Sequence, residues 1–165
     1  MNHSNPLSFE ELYQTHYRMV MQLCLGFVKG DQDLSKDLTQ EVFIQVWNGL
    51  DRFRQDSSSK TWIYRITVNT CLNYLKKQKS QENRMAEILR GQETSDEIKL
   101  METDPGKRLF EAMGKLPEID RLITGLLLEE VPQDEIAAIL GISDGNLRVK
   151  IHRIKRKLKK LIDHE

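Results

Sequence analysis

PQDEIAAILGISDGNLRVKIHRIK, residues 132–155, is the stretch whose reading decides the fold. Ile136, Ala137 and Leu140 recur at helical spacing and predict a short amphipathic helix over 133–140. Gly141 supplies the left-handed backbone position that a tight turn needs, and Ser143 is placed to cap a second helix. Along that helix, predicted over 144–162, Leu147, Ile151, Ile154, Leu158, Leu161 and Ile162 keep to one face. Arg148, Val149, His152, Arg153 and Arg156 point the other way, flanked by Lys150, Lys155 and Lys157. Helix, glycine turn, cap and basic helix together make a helix-turn-helix suited to the major groove of double-stranded DNA. A basic amphipathic helix also suits a membrane surface or plain solvent, but neither explains the turn and cap that precede it. Pro132 starts the first helix through its fixed φ in place of a side-chain cap.

The same periodicity extends through the chain. It predicts helices over 9–27, 33–50, 61–78, 106–115 and 118–129, with a turn at Lys29-Gly30-Asp31 and a polar loop over 51–59. No strand-like alternation of any length occurs, so the fold class is all-α. Residues 80–104 are polar and increasingly acidic, with a small apolar cluster at Met85, Ile88 and Leu89. Such a stretch lacks the apolar surface for a core of its own. Two small helical domains, 1–79 and 105–165, joined by a flexible acidic linker over 80–104, are therefore expected.

A net charge of zero conceals a partition. Residues 1–50 carry a net −3, 51–80 a net +5, 81–141 a net −7 and 142–165 a net +5. Exposed charges act over about a Debye length of ~10 Å, so two basic blocks can each meet a polyanion while acidic stretches do other work. No apolar run approaches the ~20 residues of a membrane span. The first residues have neither a basic nor an apolar signal segment, and Cys24 and Cys71 form neither a disulfide framework nor a CxxC site. A cytoplasmic protein with reduced thiols and no membrane insertion is expected. No Walker loop, HExxH or Cys/His zinc spacing is present, so no catalytic residue, metal or cofactor is expected. Asp37 and Glu41 could pair on a metal, but no histidine is in range.

Two faces in the first domain carry candidate contacts. On the helix over 33–50, Leu38, Val42, Phe43, Val46, Trp47 and Leu50 form a core stripe. The opposite side gathers Asp37, Gln40, Glu41, Ile44 and Asn48. Ile44 among these polar groups is either a single exposed apolar residue or the anchor of a protein-binding face ringed by acids. On the helix over 61–78, Trp62, Arg65, Ile66, Asn69, Asn73, Lys76 and Lys77 share a narrow stripe that follows Ser57, Ser58 and Lys60. An aromatic with Asn, Arg and Lys suits unpaired bases and phosphates. Equally, Trp62 could be core and the lysines a helix C-terminal charge complement.

Taken together, DLTQEVFIQVWNGLDRF (37–53), SSSKTWIYRITVNTCLNYLKKQ (57–78) and residues 116–158 resemble the extracytoplasmic-function (ECF) sigma factors, two-domain subunits of bacterial RNA polymerase. The resemblance implies that Asp37, Gln40, Glu41, Ile44 and Asn48 face the clamp helices of core RNA polymerase. It implies that Ser57, Ser58, Lys60, Trp62, Arg65, Asn69, Asn73, Lys76 and Lys77 serve the melted −10 promoter element, with Asn69 at the family's base-contacting asparagine. Arg148, Val149, Lys150, His152, Arg153 and Arg156 would then serve the double-stranded −35 element. An anti-sigma factor is a further implied partner. The rival reading is a stand-alone helix-turn-helix regulator with an N-terminal dimerisation or sensor domain; an enzyme has no motif to support it.

Overall fold

Ser8 opens the first helix with a reciprocal cap: its hydroxyl accepts from the Glu11 N–H at 3.2 Å, and the Glu11 carboxylate accepts from the Ser8 N–H at 3.3 Å. In this computed structural model, which describes residues 7–53, 57–88 and 105–163, that helix is α1, Phe9–Phe27. Lys29 and Gly30 take positive φ values of 58° and 86° to reverse the chain. Asp31 then caps α2, Gln32–Gly49, by accepting from the Leu34 N–H at 3.0 Å. A single 3-10 turn follows at Leu50–Arg52, and Ser58 caps α3, Ser59–Ile88, through the Thr61 N–H at 3.1 Å. The second half folds as α4 (Pro105–Gly114), α5 (Glu118–Leu128), α6 (Gln133–Leu140) and α7 (Asp144–Asp163). Pro117 and Pro132 stand at the starts of α5 and α6 with no side-chain cap, as the fixed proline φ permits. Gly141 ends α6 at φ 69°, and Ser143 caps α7 by accepting from the Asn146 N–H at 3.2 Å. The fold is all-α; no strand occurs among the described residues.

Helices α1–α3 bury Val20, Leu23, Val42, Val46, Ile63 and Val68 between them, and α5–α7 bury Leu122, Ile123, Leu126, Ile136, Leu147 and Ile151. The two cores are continuous, because α5 lies on α1 and α6 on α3. Gly125 permits the closest approach: a Cβ at that position would stand 2.9 Å from Leu23 Cδ2. Arg121, 7% exposed, reaches across the contact. Its Nε donates to the Phe27 carbonyl at 2.9 Å and its Nη1 to the Leu116 carbonyl at 2.7 Å. The cation thereby sits on the negative end of α1, with its Cζ 5.7 Å from the centre of the Phe27 ring. Burial lowers the pKa of this guanidinium from its ordinary value, while Glu118 raises it. A second bridge runs from Thr61 Oγ1, which donates to Glu135 Oε1 at 3.1 Å.

Two expectations change. Helix α3 runs through the expected domain boundary at 79/80 to Ile88; residues 79–88 are mostly good helix formers without glycine or proline, and adding residues to an existing helix is easy. The rest of the expected linker, 89–104, lies outside the described residues, as do Arg54–Asp56 of the polar loop. Trp47 is not core but 63% exposed, because the cover that α1 gives this end of α2 stops at Phe9, whose ring meets Trp47 edge-on at 5.2 Å. Cys24 and Cys71, remote in sequence, are both buried and free. The neighbouring Cys24 thiol and burial push the Cys71 thiol well above its ordinary pKa.

Candidate nucleic-acid and protein interfaces

The apolar side of α7 is consumed by the domain core, and its cationic side is left exposed. Arg148, Val149, His152, Arg153 and Arg156 are exposed and Lys150 is half-buried. Arg153, Arg156, Lys157 and Lys160 line a shallow depression of about 200 Å³. Four cations around one concavity create a positive potential for an anion the size of a backbone phosphate.

On α3 the candidate stripe divides. Arg65, Asn69, Asn73, Lys76 and Lys77 are exposed along one side, whereas Lys60, also exposed, stands about 180° round the helix from Asn69, its Nζ 5.8 Å from the centre of the Tyr64 ring. Trp62 is half-buried and already stacked: the Phe53 ring lies 4.5 Å from it at 23°. Beneath it is Gly49, where a Cβ would approach Trp62 Cζ2 to 3.2 Å. The indole is thus fixed as a ledge and does not swing freely. Phe53 joins the candidate residues; the aromatic at the end of the 37–53 stretch was the signal for it. Ser58 is committed to the cap and to a 3.0 Å bond that its hydroxyl donates to Thr61 Oγ1, and Ser57 is half-buried. Ser58 stays exposed, but its hydroxyl is already engaged within the turn.

On α2, Asp37, Gln40, Glu41, Ile44 and Asn48 are all exposed, Ile44 at 53%. Ile44 is not isolated. With Phe9, Tyr13, Gln40, Phe43 and Trp47 it lines a cup of about 400 Å³. Phe9, Tyr13 and Tyr17 follow one another at i, i+4 and i+8 along α1, a periodic aromatic signal that the helical reading of 9–27 contained but did not use. Tyr13 packs on Phe43 at 4.8 Å and on Tyr17 at 5.2 Å, so the floor of the cup is a rigid aromatic cluster. An apolar cup beside Asp37 and Glu41 fits a partner that presents an apolar ridge flanked by cations.

Among the described residues no group of three or more His, Cys, Asp or Glu side chains is placed to hold a metal, and no helix is long and apolar enough to cross a membrane. His16 and Tyr64 are the buried titratable groups near the start of α3. Burial, then the charge of Lys60, lowers the His16 pKa. Burial, then Glu129 and Glu135, raises the Tyr64 pKa to about 12.

An all-helical pair of domains, with an aromatic and basic stripe on one and a helix-turn-helix on the other, defines a two-domain DNA-binding protein. Comparison with known proteins gives the family. Residues 12–81 match the Sigma-70 region 2 family and residues 107–158 the Sigma-70, region 4 family. The chain is 34% identical over 131 residues to the ECF RNA polymerase sigma-E factor of Escherichia coli K12, covering 72% of this chain and 69% of that protein. It is 29% identical over 160 residues to the RNA polymerase sigma factor YlaC of Bacillus subtilis, covering 93% and 91%. Its fold resembles the sigma factor RpoE in complex with the anti-sigma factor NepR from Bartonella quintana (TM-score 0.73, 17% identity, 94% of this chain and 96% of that one). It also resembles CnrH in complex with the cytosolic domain of CnrY (TM-score 0.65, 23% identity, 95% and 88%). The chain belongs to the ECF sigma factors of the sigma-70 family, the subunits that direct RNA polymerase to promoters.

Proposed function

We propose that three separate faces divide the work. The acidic face of α2, with the Ile44 cup beside it, docks on the clamp helices of core RNA polymerase. The stripe of α3, with Asn69 at its centre and the Trp62–Phe53 ledge at its start, receives unpaired bases of the −10 element, offsetting unstacking by new stacking and hydrogen bonds. The cationic face of α7 enters the major groove at the −35 element. The observation that carries this reading is that Asp37, Glu41, Asn69 and Arg153 all stand exposed while the apolar sides of their helices are used in the cores. Nucleotide chemistry stays with the polymerase. The chain contributes binding and orientation, in the cytoplasm where the polymerase works.

The closed arrangement cannot serve both promoter elements at once. Elements about 25 base pairs apart are separated by ~85 Å along the duplex at ~3.4 Å per pair. A packed chain of this length has a radius of gyration of ~15 Å and spans ~40 Å. Engagement therefore requires α5 to leave α1 and α6 to leave α3. The backbone from Ile88 to Pro105 can reach at most ~60 Å, enough to let the domains separate without losing each other. By likeness to the two sigma factors solved with anti-sigma partners, the closed chain is also the form an anti-sigma factor would hold.

The test is transcription from a promoter library by core polymerase, with and without the chain. Start sites that appear only with it, sharing two spaced elements, support the reading. Tight binding of the chain to a palindromic site as a dimer without polymerase, and no new initiation, would replace it with the stand-alone regulator.

A further inference from the structure

An apolar side chain that neither packing nor helix formation explains stands at the middle of the exposed face of α7. Leu147, Ile151 and Ile154 turn one side of the helix into the domain. At ~100° per residue, the line opposite them passes through Gly145, Val149 and Arg156, and Val149 is 50% exposed there. Valine forms helix less readily than alanine, lysine or arginine, and half in water it adds little to the core. Gly145, one turn earlier on the same line, has open space around it: a Cβ would meet nothing within 4 Å. Arg148 lies to one side of this line and Arg153 to the other, both exposed. Cations therefore hold the flanks, while the line that goes deepest into a groove begins with a glycine and a branched apolar group. Base edges in the major groove present hydrogen-bond donors and acceptors, and among them the one alkyl group is the 5-methyl of thymine.

We propose that Val149 selects a thymine in the upstream promoter element by packing against that methyl group. This rests on α7 being the helix that reads the major groove. Removing one methyl-sized contact should weaken binding about fourfold, the equivalent of ~0.8 kcal/mol.

The experiment uses the full chain with core polymerase. Upstream elements are selected from a randomised promoter library, and each thymine of the selected element is then replaced by uracil, which deletes the methyl and nothing else. At one thymine, uracil should weaken the promoter complex about fourfold. Val149→Ala should bind the thymine form less tightly by a similar factor and no longer distinguish it from the uracil form. Val149→Thr, which keeps a methyl in place, should go on distinguishing the two. A selected element without thymine, or uracil sensitivity that persists in Val149→Ala, overturns the methyl contact and leaves α7 as the reading helix. Selection that returns no upstream element removes the groove reading itself.

Discussion

Gly125→Leu is the substitution that acts most directly on the contact between the domains. Outside its own helix, a Cβ at 125 has one heavy atom within 4 Å, Leu23 Cδ2 at 2.9 Å across the contact. Leucine also improves the helix by ~1 kcal/mol, but α5 is helical whether the domains are together or apart, so that gain cancels from the equilibrium between them. What remains is overpacking in the closed form alone, typically ~1–3 kcal/mol, which shifts the closed-to-open ratio by about 5–150-fold. Gly125→Ala is the control: its one close contact is the tip of a leucine side chain, which can shift a few tenths of an ångström, so a small effect is expected. Dyes on Gln81→Cys and Lys159→Cys report the separation, both sites being exposed and Cys24 and Cys71 too deeply buried to label. Energy transfer should fall in Gly125→Leu with helical content unchanged. The apparent affinity for core polymerase should rise with the open fraction, because a binding-competent state populated at fraction f weakens binding by 1/f. Unchanged energy transfer in a folded Gly125→Leu protein would refute the idea that the α1–α5 contact holds the domains together.

Reversing both charges, Asp37→Lys with Glu41→Lys, should weaken polymerase binding about tenfold, chiefly through the association rate, and leave the unfolding midpoint unchanged because both sites are exposed; unaltered affinity would remove the clamp assignment. Tyr64→Phe should stabilise the chain by ~1 kcal/mol in urea unfolding, since the Tyr64 hydroxyl is buried with no hydrogen-bond partner and faces the charges of Glu129 and Glu135; a loss of stability would contradict that environment. For His16 the folded pKa lies below the ordinary 6.5, so the unfolded chain takes up its proton first and stability is lost as pH falls from about 6.5 through the folded pKa. His16→Gln should flatten that part of the stability–pH curve, and parallel curves for both proteins would show that His16 is not its source.

Where the chain carries punctuation, its sequence located the helices closely. Lys29-Gly30, Pro132 and Gly141 mark α1, α2 and α6 to within a residue or two, because positive φ and proline leave the backbone few alternatives. The end of α3 carried no such mark. A polar run such as 79–88 has the same composition in a solvated helix as in a linker, and only continuity with the preceding turns makes it helical. Trp47 shows a different limit: a helical wheel gives its angle beside Phe43 but not how far along α2 the covering helix reaches. Three candidate faces were visible as polar residues at helical spacing, yet the aromatic cup around Ile44 needed α1 and α2 side by side. Gly125 was visible only as an interruption in the apolar run 122–128; its neighbour Leu23 is a hundred residues away.

The charge partition has its clearest consequence at the start of α3. Glu135, from the acidic middle of the chain, accepts a hydrogen bond from Thr61, beside Lys60 and one turn before Arg65, where the proposed reading brings the −10 strand. An anion at a helix N-terminus is favoured by the helix dipole, and in the closed form Glu135 supplies that anion. DNA phosphate arriving at Lys60 and Arg65 would offer the same end of α3 another source of negative charge and repel Glu135 and Glu129, whose charges act on that end of the helix. The net charge of zero therefore averages over unlike surroundings: an acid of α6 is bonded at the start of α3, while the cations of α7 stand exposed.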